Sequence, residues 1–265
     1  MIRTDFILLD GEEAQSGELL LNRAFLFGES PFTTTRIIKG KVLFQQEHLE
    51  RLMRSWNYLY GDDFNFEELS SILEKLLLEL ETEKQYYLRI TLFKTLTGKN
   101  HSLVSVKEFL EQQKDLSLCL SESRRGHSIL PSFLKSGNYL ETLREIERAN
   151  TLDFDDILFL NTDDYILEAS FSNVFIVKEG RIITPPEQSG LLLGIVRNKL
   201  IHFLKKNSYD FSQEQIHEED LYNCDEIWLT NSLRFLRCAN RFEEHELSNR
   251  LFKEIQRRFY LTLGI

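Results

Sequence analysis

Residues 28–52 read Gly28-Glu29-Ser30-Pro31-Phe32-Thr33-Thr34-Thr35-Arg36-Ile37-Ile38-Lys39-Gly40-Lys41-Val42-Leu43-Phe44-Gln45-Gln46-Glu47-His48-Leu49-Glu50-Arg51-Leu52. β-Branched residues dominate 33–38, apolar residues fill 42–44, and Lys39-Gly40 between them suits a tight turn, so the stretch predicts a β-hairpin. From residue 47 the apolar period changes. Leu49, Leu52, Met53, Trp56 and Leu59 recur at helical spacing and predict a helix over 47–59. A second helix is predicted over 66–80, after the capping stretch Asp62-Asp63-Phe64-Asn65. Strands at 6–9, 19–21, 86–93 and 103–106 complete a half in which two helices cover a sheet. The polar run 107–114 reads as a linker, which divides the chain into 1–110 and 111–265.

The second half predicts a strand at 116–120, a helix at 139–149, a strand at 157–160 and a hairpin over 173–184 turning at Glu179-Gly180. A helix over 195–206, strands at 226–229 and 235–238, and an amphipathic helix over 247–261 follow. Strands interleaved with helices in two segments imply a two-domain α+β or α/β protein, a smaller N-terminal domain before a larger C-terminal one, with a ligand expected in the cleft between them.

The chain has 265 residues, 42% of them hydrophobic and 20 of them Phe, enough for a sizeable core. Its formal net charge of -10 argues against nucleic acid or an anionic membrane as a partner, because both are bound mainly through Lys and Arg. Cys119, Cys224 and Cys238 are scattered and lack metal-ligand spacing, so no metal is expected and the thiols read as reduced. Met1-Ile2-Arg3-Thr4-Asp5 opens no long apolar run; no signal peptide or membrane span is expected, and the protein reads as cytoplasmic.

Three further motifs occur in order: Lys135-Ser136-Gly137-Asn138-Tyr139, then Glu168-Ala169-Ser170-Phe171-Ser172-Asn173, then Gly194-Ile195-Val196-Arg197. An amine that condenses with an aldehyde, an acid that holds a proton on a ring nitrogen and a glycine turn whose amides cradle a phosphate are what pyridoxal phosphate requires. With the stretch 28–52 and Thr230-Asn231-Ser232-Leu233, the ordered set resembles the class IV aminotransferase family, of fold type IV, over nearly the whole chain.

The resemblance implies a D-amino-acid-aminotransferase-like fold and roles for particular residues. Lys135 would carry the cofactor, although a lone lysine at a helix start otherwise reads as solvated. Tyr139 would lie one helical turn along and reach the cofactor's phenolic oxygen, or serve as a core tyrosine. Glu168 would face the ring nitrogen and Asn173 would support the loop beneath the ring. Arg51 would bind the phosphate through its fork geometry, joined by the amides of Ile195 and Val196 and by Asn231 and Ser232. Strand alternation gives Phe32, Thr34 and Arg36 one face, which in the family looks onto the substrate. Two departures stand out: Pro31 replaces a glycine and Glu29 an aspartate in the turn before that strand, and Val196 stands where many members carry Thr.

Within the family, Phe32-Thr33-Thr34-Thr35-Arg36 and Asn231-Ser232-Leu233 resemble the 4-amino-4-deoxychorismate lyases, enzymes of folate biosynthesis that release 4-aminobenzoate and pyruvate. Lys135 would then be the proton-transferring base and Thr34 a hydroxyl for proton delivery, with Arg36, Lys99 and His101 offering cations to a small dianionic substrate. Thr97-Gly98-Lys99-Asn100-His101 equally resembles the carboxylate trap of D-amino-acid transaminases, so transamination of D-amino or branched-chain amino acids with 2-oxoglutarate is the alternative. A non-catalytic protein retaining the fold is a third reading; it predicts a lost lysine or glutamate, and neither is lost. The family implies a homodimer.

Overall fold

The computed structural model describes residues 6–13, 22–110, 115–126 and 130–265. The chain forms two compact units, Met1–Gln112 with Phe133–Asn138, and Gln113–Ser132 with Tyr139–Ile265. Unit 1 runs β1 (Phe6–Leu9), β2 (Glu12–Glu13), α1 (Arg23–Phe27), β3 (Phe32–Ile38), β4 (Lys41–Val42), α2 (Gln45–Tyr60), α3 (Phe66–Leu78), β5 (Tyr86–Lys94) and β6 (Asn100–Glu108). Its six strands pair antiparallel in the order β2-β1-β6-β5-β3-β4.

The predicted hairpin is present because Lys39 and Gly40 both take positive φ, 51° and 70°, the mirror-image turn that matches strand twist. β4 is shorter than expected. Phe44 adopts a left-handed φ of 53° and serves as the N-cap of α2, so the chain leaves the strand early and the helix starts at Gln45. Leu52 and Trp56 of α2 and Leu69 and Leu73 of α3 pack against Leu88 and Ile90 of β5, all at most 2% exposed. Burying each such side chain contributes about 1.5–3 kcal/mol. Gly61, at φ 66°, ends α2, and the Asn65 side chain accepts the Glu68 N–H at 3.0 Å to start α3.

Three expectations are revised or fall elsewhere. Residues 107 and 108, read as linker, are still strand: Lys107 pairs with Tyr87 and Glu108 with Tyr86, because their charged side chains alternate along a ladder that continues past the apolar run. Residues 109 and 110 follow without regular structure, whereas the rest of that linker, 111–114, and the strand expected at 19–21 lie outside the described residues. Helix α1 was not expected, although Asn22 caps it and Gly28 closes it at φ 71°.

Unit 2 runs β7 (Ser117–Arg125), α4 (Leu140–Thr151), β8 (Asp156–Asn161), β9 (Ile166–Ala169), β10 (Asn173–Lys178), β11 (Arg181–Thr184), α5 (Ile195–Lys206), β12 (Phe211–Gln213), α6 (Glu218–Tyr222), β13 (Glu226–Asn231), β14 (Phe235–Cys238), β15 (Arg241–Phe242), β16 (His245–Glu246) and α7 (Arg250–Leu263). Its sheet is mixed, with β7 parallel to β8 and β15, and β11 parallel to β12. β10 is the hub: Asn173 at its start pairs with Glu168 of β9 and with Thr230 of β13. Leu158, Leu160, Val174, Ile176 and Ile227 form its core. Among the described residues no helix is long and apolar enough to cross a membrane, and no group of His, Cys, Asp and Glu is arranged to hold a metal.

Candidate functional site

Lys135 belongs to a segment, Phe133–Asn138, that returns to unit 1. The loop is pinned at both ends. Phe133 carries the Arg54 guanidinium 4.3 Å from its ring centre and meets Tyr58 edge-on at 6.2 Å. The Lys135 carbonyl accepts the Phe32 N–H at 2.8 Å, and Gly137 N–H donates to Ser30 Oγ at 3.1 Å. Gly28 lies in the left-handed region, which favours glycine, and a Cβ there would lie 1.9 Å from Asn138 Oδ1, so the Asn138 side chain would have to move. The turn before β3 and the lysine loop therefore interlock. Glu29 is held by both arms of Arg23 at 2.6 Å, and that guanidinium holds its carboxyl below the usual range.

The lysine Nζ lies 4.9 Å from the ring centre of Phe32, and the Arg89 guanidinium lies 3.6 Å from the same ring. Strand register explains the meeting. Phe32 pairs with Thr91, Thr34 with Arg89 and Arg36 with Tyr87, so these side chains share one face of the sheet. Arg89 was missed in the sequence; period-two alternation in β5 gives its face, but only the pairing register sets it opposite Thr34. Arg36 shares the face yet is 3% exposed and stacks on Phe109 at 4.3 Å. His101, opposite Phe93, stacks on that ring and bonds Asp10 through Nδ1 at 2.7 Å. Lys99 is exposed, its N–H closing a turn onto Thr95 Oγ1 at 3.0 Å. Neither joins Lys135 and Arg89 at Phe32.

Arg51 reaches the start of β3 from the other side of the sheet. Thr33, whose neighbour in register is the core residue Ile90, faces α2, and Arg51 Nη2 donates to its hydroxyl at 3.2 Å. The same hydroxyl bonds His48 Nδ1, which lies 3.5 Å from Arg51 Nη2. All three side chains are buried.

In unit 2, Glu168 lies on β9, a strand not expected from its four residues. Leu192 N–H donates to Glu168 Oε2 at 3.1 Å, and the Asn173 amide lies 3.4 Å from the same oxygen. Arg125 Nη1 donates to Oε1 at 3.1 Å, while its other arms reach Glu141 at 3.0 Å and Thr142 at 2.8 Å. The Arg125 guanidinium also lies 3.4 Å from the ring centre of buried Phe159. No sequence signal marked Arg125, a basic residue at the end of a strand. Tyr139 is not one helical turn beyond Lys135, as expected; the lysine is in a loop, Tyr139 is the N-cap of α4, and its ring leans on Phe171 at 5.3 Å.

Asn173 also donates to the Leu192 carbonyl at 2.7 Å, which fixes the loop that enters α5. Gly194 caps that helix without a side chain, and its first turn, Ile195 and Val196 included, carries no acid. The amides there and the positive end of the helix dipole suit an anion. Asn231 Oδ1 accepts the N–H groups of Leu233 and Arg234 at 3.0 and 2.8 Å, and its amide donates to Ser172 Oγ at 2.9 Å, which shapes the turn bearing Ser232. A Cβ on Gly194 would lie 2.1 Å from Asn173 Oδ1. Gly194→Ala should therefore lose about 1–3 kcal/mol of stability by displacing Asn173 from its bonds, and much less in an Asn173→Ala background. Thermal melts of the four proteins check this; equal losses in both backgrounds would refute the clash.

Residues 30–241 match the model of the family described as amino-transferase class IV. The chain belongs to the class IV aminotransferase family. It is 28% identical, over 271 residues covering 92% of the chain and 86% of its relative, to a probable branched-chain-amino-acid aminotransferase of Aquifex aeolicus. It is 23% identical to the aminodeoxychorismate lyase of Vibrio harveyi over 226 residues, 80% of this chain and 82% of that one. In three dimensions it resembles an aminotransferase from Brucella abortus bound to pyridoxal phosphate, with a TM-score of 0.86, 19% identity and coverage of 98% and 99% of the two chains. Pyridoxal phosphate is the cofactor that the family and fold indicate.

Proposed function

We propose that the protein is a pyridoxal-phosphate-dependent lyase that converts 4-amino-4-deoxychorismate to 4-aminobenzoate and pyruvate. Its residues fit the cofactor: Gly194 keeps open a cradle that a Cβ would close onto Asn173, and Glu168 is held by donors on both oxygens. In this reading Arg51, the amides of Ile195 and Val196, and Asn231 with Ser232 take the phosphate, Glu168 with Asn173 behind it takes the ring nitrogen, and Tyr139 the phenolic oxygen. When bound, the cofactor supplies an aldehyde for the substrate's amino group and a ring that accepts the electron pair left by proton removal. Lys135 takes the proton from the carbon bearing nitrogen. Arg89 holds a substrate carboxylate, the C–O bond to the enolpyruvyl group breaks, and the Thr34 hydroxyl hands a proton to the departing three-carbon unit, leaving an aromatic ring.

The observation that carries the lyase reading is the pairing of Thr34 with Arg89 on the face that also holds Phe32, to which Lys135 Nζ is 4.9 Å away. A hydroxyl and a cation opposite one another serve an elimination that needs both. Branched-chain transamination is the second reading, favoured by the 28% identity with the Aquifex relative; it would need a site that admits a second keto acid and requires no hydroxyl at residue 34. The purified protein should form 4-aminobenzoate from 4-amino-4-deoxychorismate faster than it transaminates leucine, valine or D-alanine with 2-oxoglutarate. Thr34→Val should retain cofactor and slow 4-aminobenzoate release on the order of a hundred-fold. Absence of 4-aminobenzoate with brisk transamination of leucine would select the second reading.

A further inference from the structure

A guanidinium only donates hydrogen bonds, and this sets the polarity of the buried cluster between α2 and β3. Arg51 Nη2 points at Thr33 Oγ1, 3.2 Å away, and at His48 Nδ1, 3.5 Å away, so both atoms must present lone pairs to it. The Thr33 hydroxyl has one proton. Since Thr33 bonds His48 Nδ1 and that nitrogen already faces a donor, the hydroxyl proton goes to Nδ1 and the imidazole carries its own proton on Nε2. The chain runs one way, from Arg51 to Thr33 to His48. Thr33 is 1% exposed, His48 1% and Arg51 9%, so water does not substitute readily for any member.

We propose that Thr33 and His48 are positioning residues for the cofactor phosphate: they fix the plane of the Arg51 guanidinium, and with it the direction of its outward N–H bonds. The inference rests on the reading of Arg51 as the phosphate residue. A single hydrogen bond to one corner of a planar fork restrains both its translation and its rotation, and two acceptors at one nitrogen restrain it further. His48 and Arg51 lie three apart on α2, so they share a helix face, and that face meets Thr33. Thr34, one residue on, points to the opposite side of the sheet; two adjacent threonines thus serve different tasks.

The test uses the full chain, freed of cofactor and titrated separately with pyridoxal phosphate and with pyridoxal, which lacks the phosphate; quenching of tryptophan fluorescence reads binding. Thr33→Val, nearly isosteric, should weaken pyridoxal phosphate binding about ten-fold, the size of one lost hydrogen bond to a charged group, and leave pyridoxal binding unchanged. Thr33→Ser, which keeps the hydroxyl, should bind as the unaltered protein does. His48→Leu should match Thr33→Val, whereas His48→Asn, whose amide oxygen sits where Nδ1 does, should recover most of the loss. The double variant Thr33→Val with His48→Leu should be no worse than either alone, because the relay acts as one unit. If Thr33→Val does not fold, the contrast between His48→Leu and His48→Asn answers the same question.

Arg51→Gln separates the two ideas. If it leaves the preference for pyridoxal phosphate over pyridoxal intact, Arg51 does not read the phosphate and the underlying assignment falls. Should Arg51→Gln abolish the preference while Thr33→Val and His48→Leu keep it, the phosphate assignment stands and the relay is overturned. A Thr33→Val protein that loses affinity for both ligands equally would also overturn it, since that is the signature of a general packing defect.

Discussion

Lys135→Ala is expected to lose turnover by about a thousand-fold or more, within the range that a positioned proton-transfer group supplies. Borohydride treatment of the cofactor-loaded protein should leave a stable label on Lys135 and on no other lysine. The expectation rests on how the side chain is held. Its loop is clamped by Phe32, Ser30, Arg54 and Tyr58, and its Nζ lies 4.9 Å from the ring centre of Phe32. Peptide mapping after reduction decides the point: label at another lysine, or none on a protein that has taken up cofactor, would remove Lys135 from the chemistry. Arg89→Met should then leave the label in place and raise the substrate concentration needed for half-maximal rate.

Glu168→Gln should show a loss of a different kind. An opposite charge beside a titrating nitrogen shifts its pKa by roughly 1–3 units, so a neutral side chain lowers the protonated fraction of the ring nitrogen roughly ten- to thousand-fold, and turnover with it. A structural cost accompanies this. Leu192 N–H and the Asn173 amide donate to Oε2 while Arg125 donates to Oε1, so a glutamine cannot satisfy both ends: wherever its NH2 points, it meets a donor. Loss of about 1–3 kcal/mol of stability in the cofactor-free protein is expected. Melting curves and steady-state rates at saturating cofactor measure the two effects separately. Full turnover by a saturated Glu168→Gln protein would show that the carboxylate does not hold the ring proton.

How much of this could be read from residues alone depends on the range of the interaction that decides each feature. The hairpin at Lys39-Gly40, the helix Ile195–Lys206 with Gly194 before it and the hairpin turning at Glu179-Gly180 are set by local φ preferences and apolar period, and all three are present where the sequence predicts them. Alternation along β3 correctly put Phe32, Thr34 and Arg36 on one side. Local information ran out where neighbours compete. Phe44 ends β4 because it caps α2, charged Lys107 and Glu108 remain paired with Tyr87 and Tyr86, and the four residues of β9 form a strand only because β8 and β10 flank them.

The sequence by itself determined the family, through an ordered lysine, glutamate and glycine turn, and the alternating faces of its strands. Tertiary structure alone decided which residues meet. Arg89 comes opposite Thr34 through strand register, Arg125 comes to Glu168 by stacking on Phe159, and Thr33 joins Arg51 and His48 because α2 packs on that side of β3. The same packing sets Arg36 on Phe109 and His101 beside Asp10, partners that their residue types do not specify. Residue type and spacing report what a side chain is able to do, whereas its partners are chosen by pairing register and by burial, which depend on segments far apart in the chain.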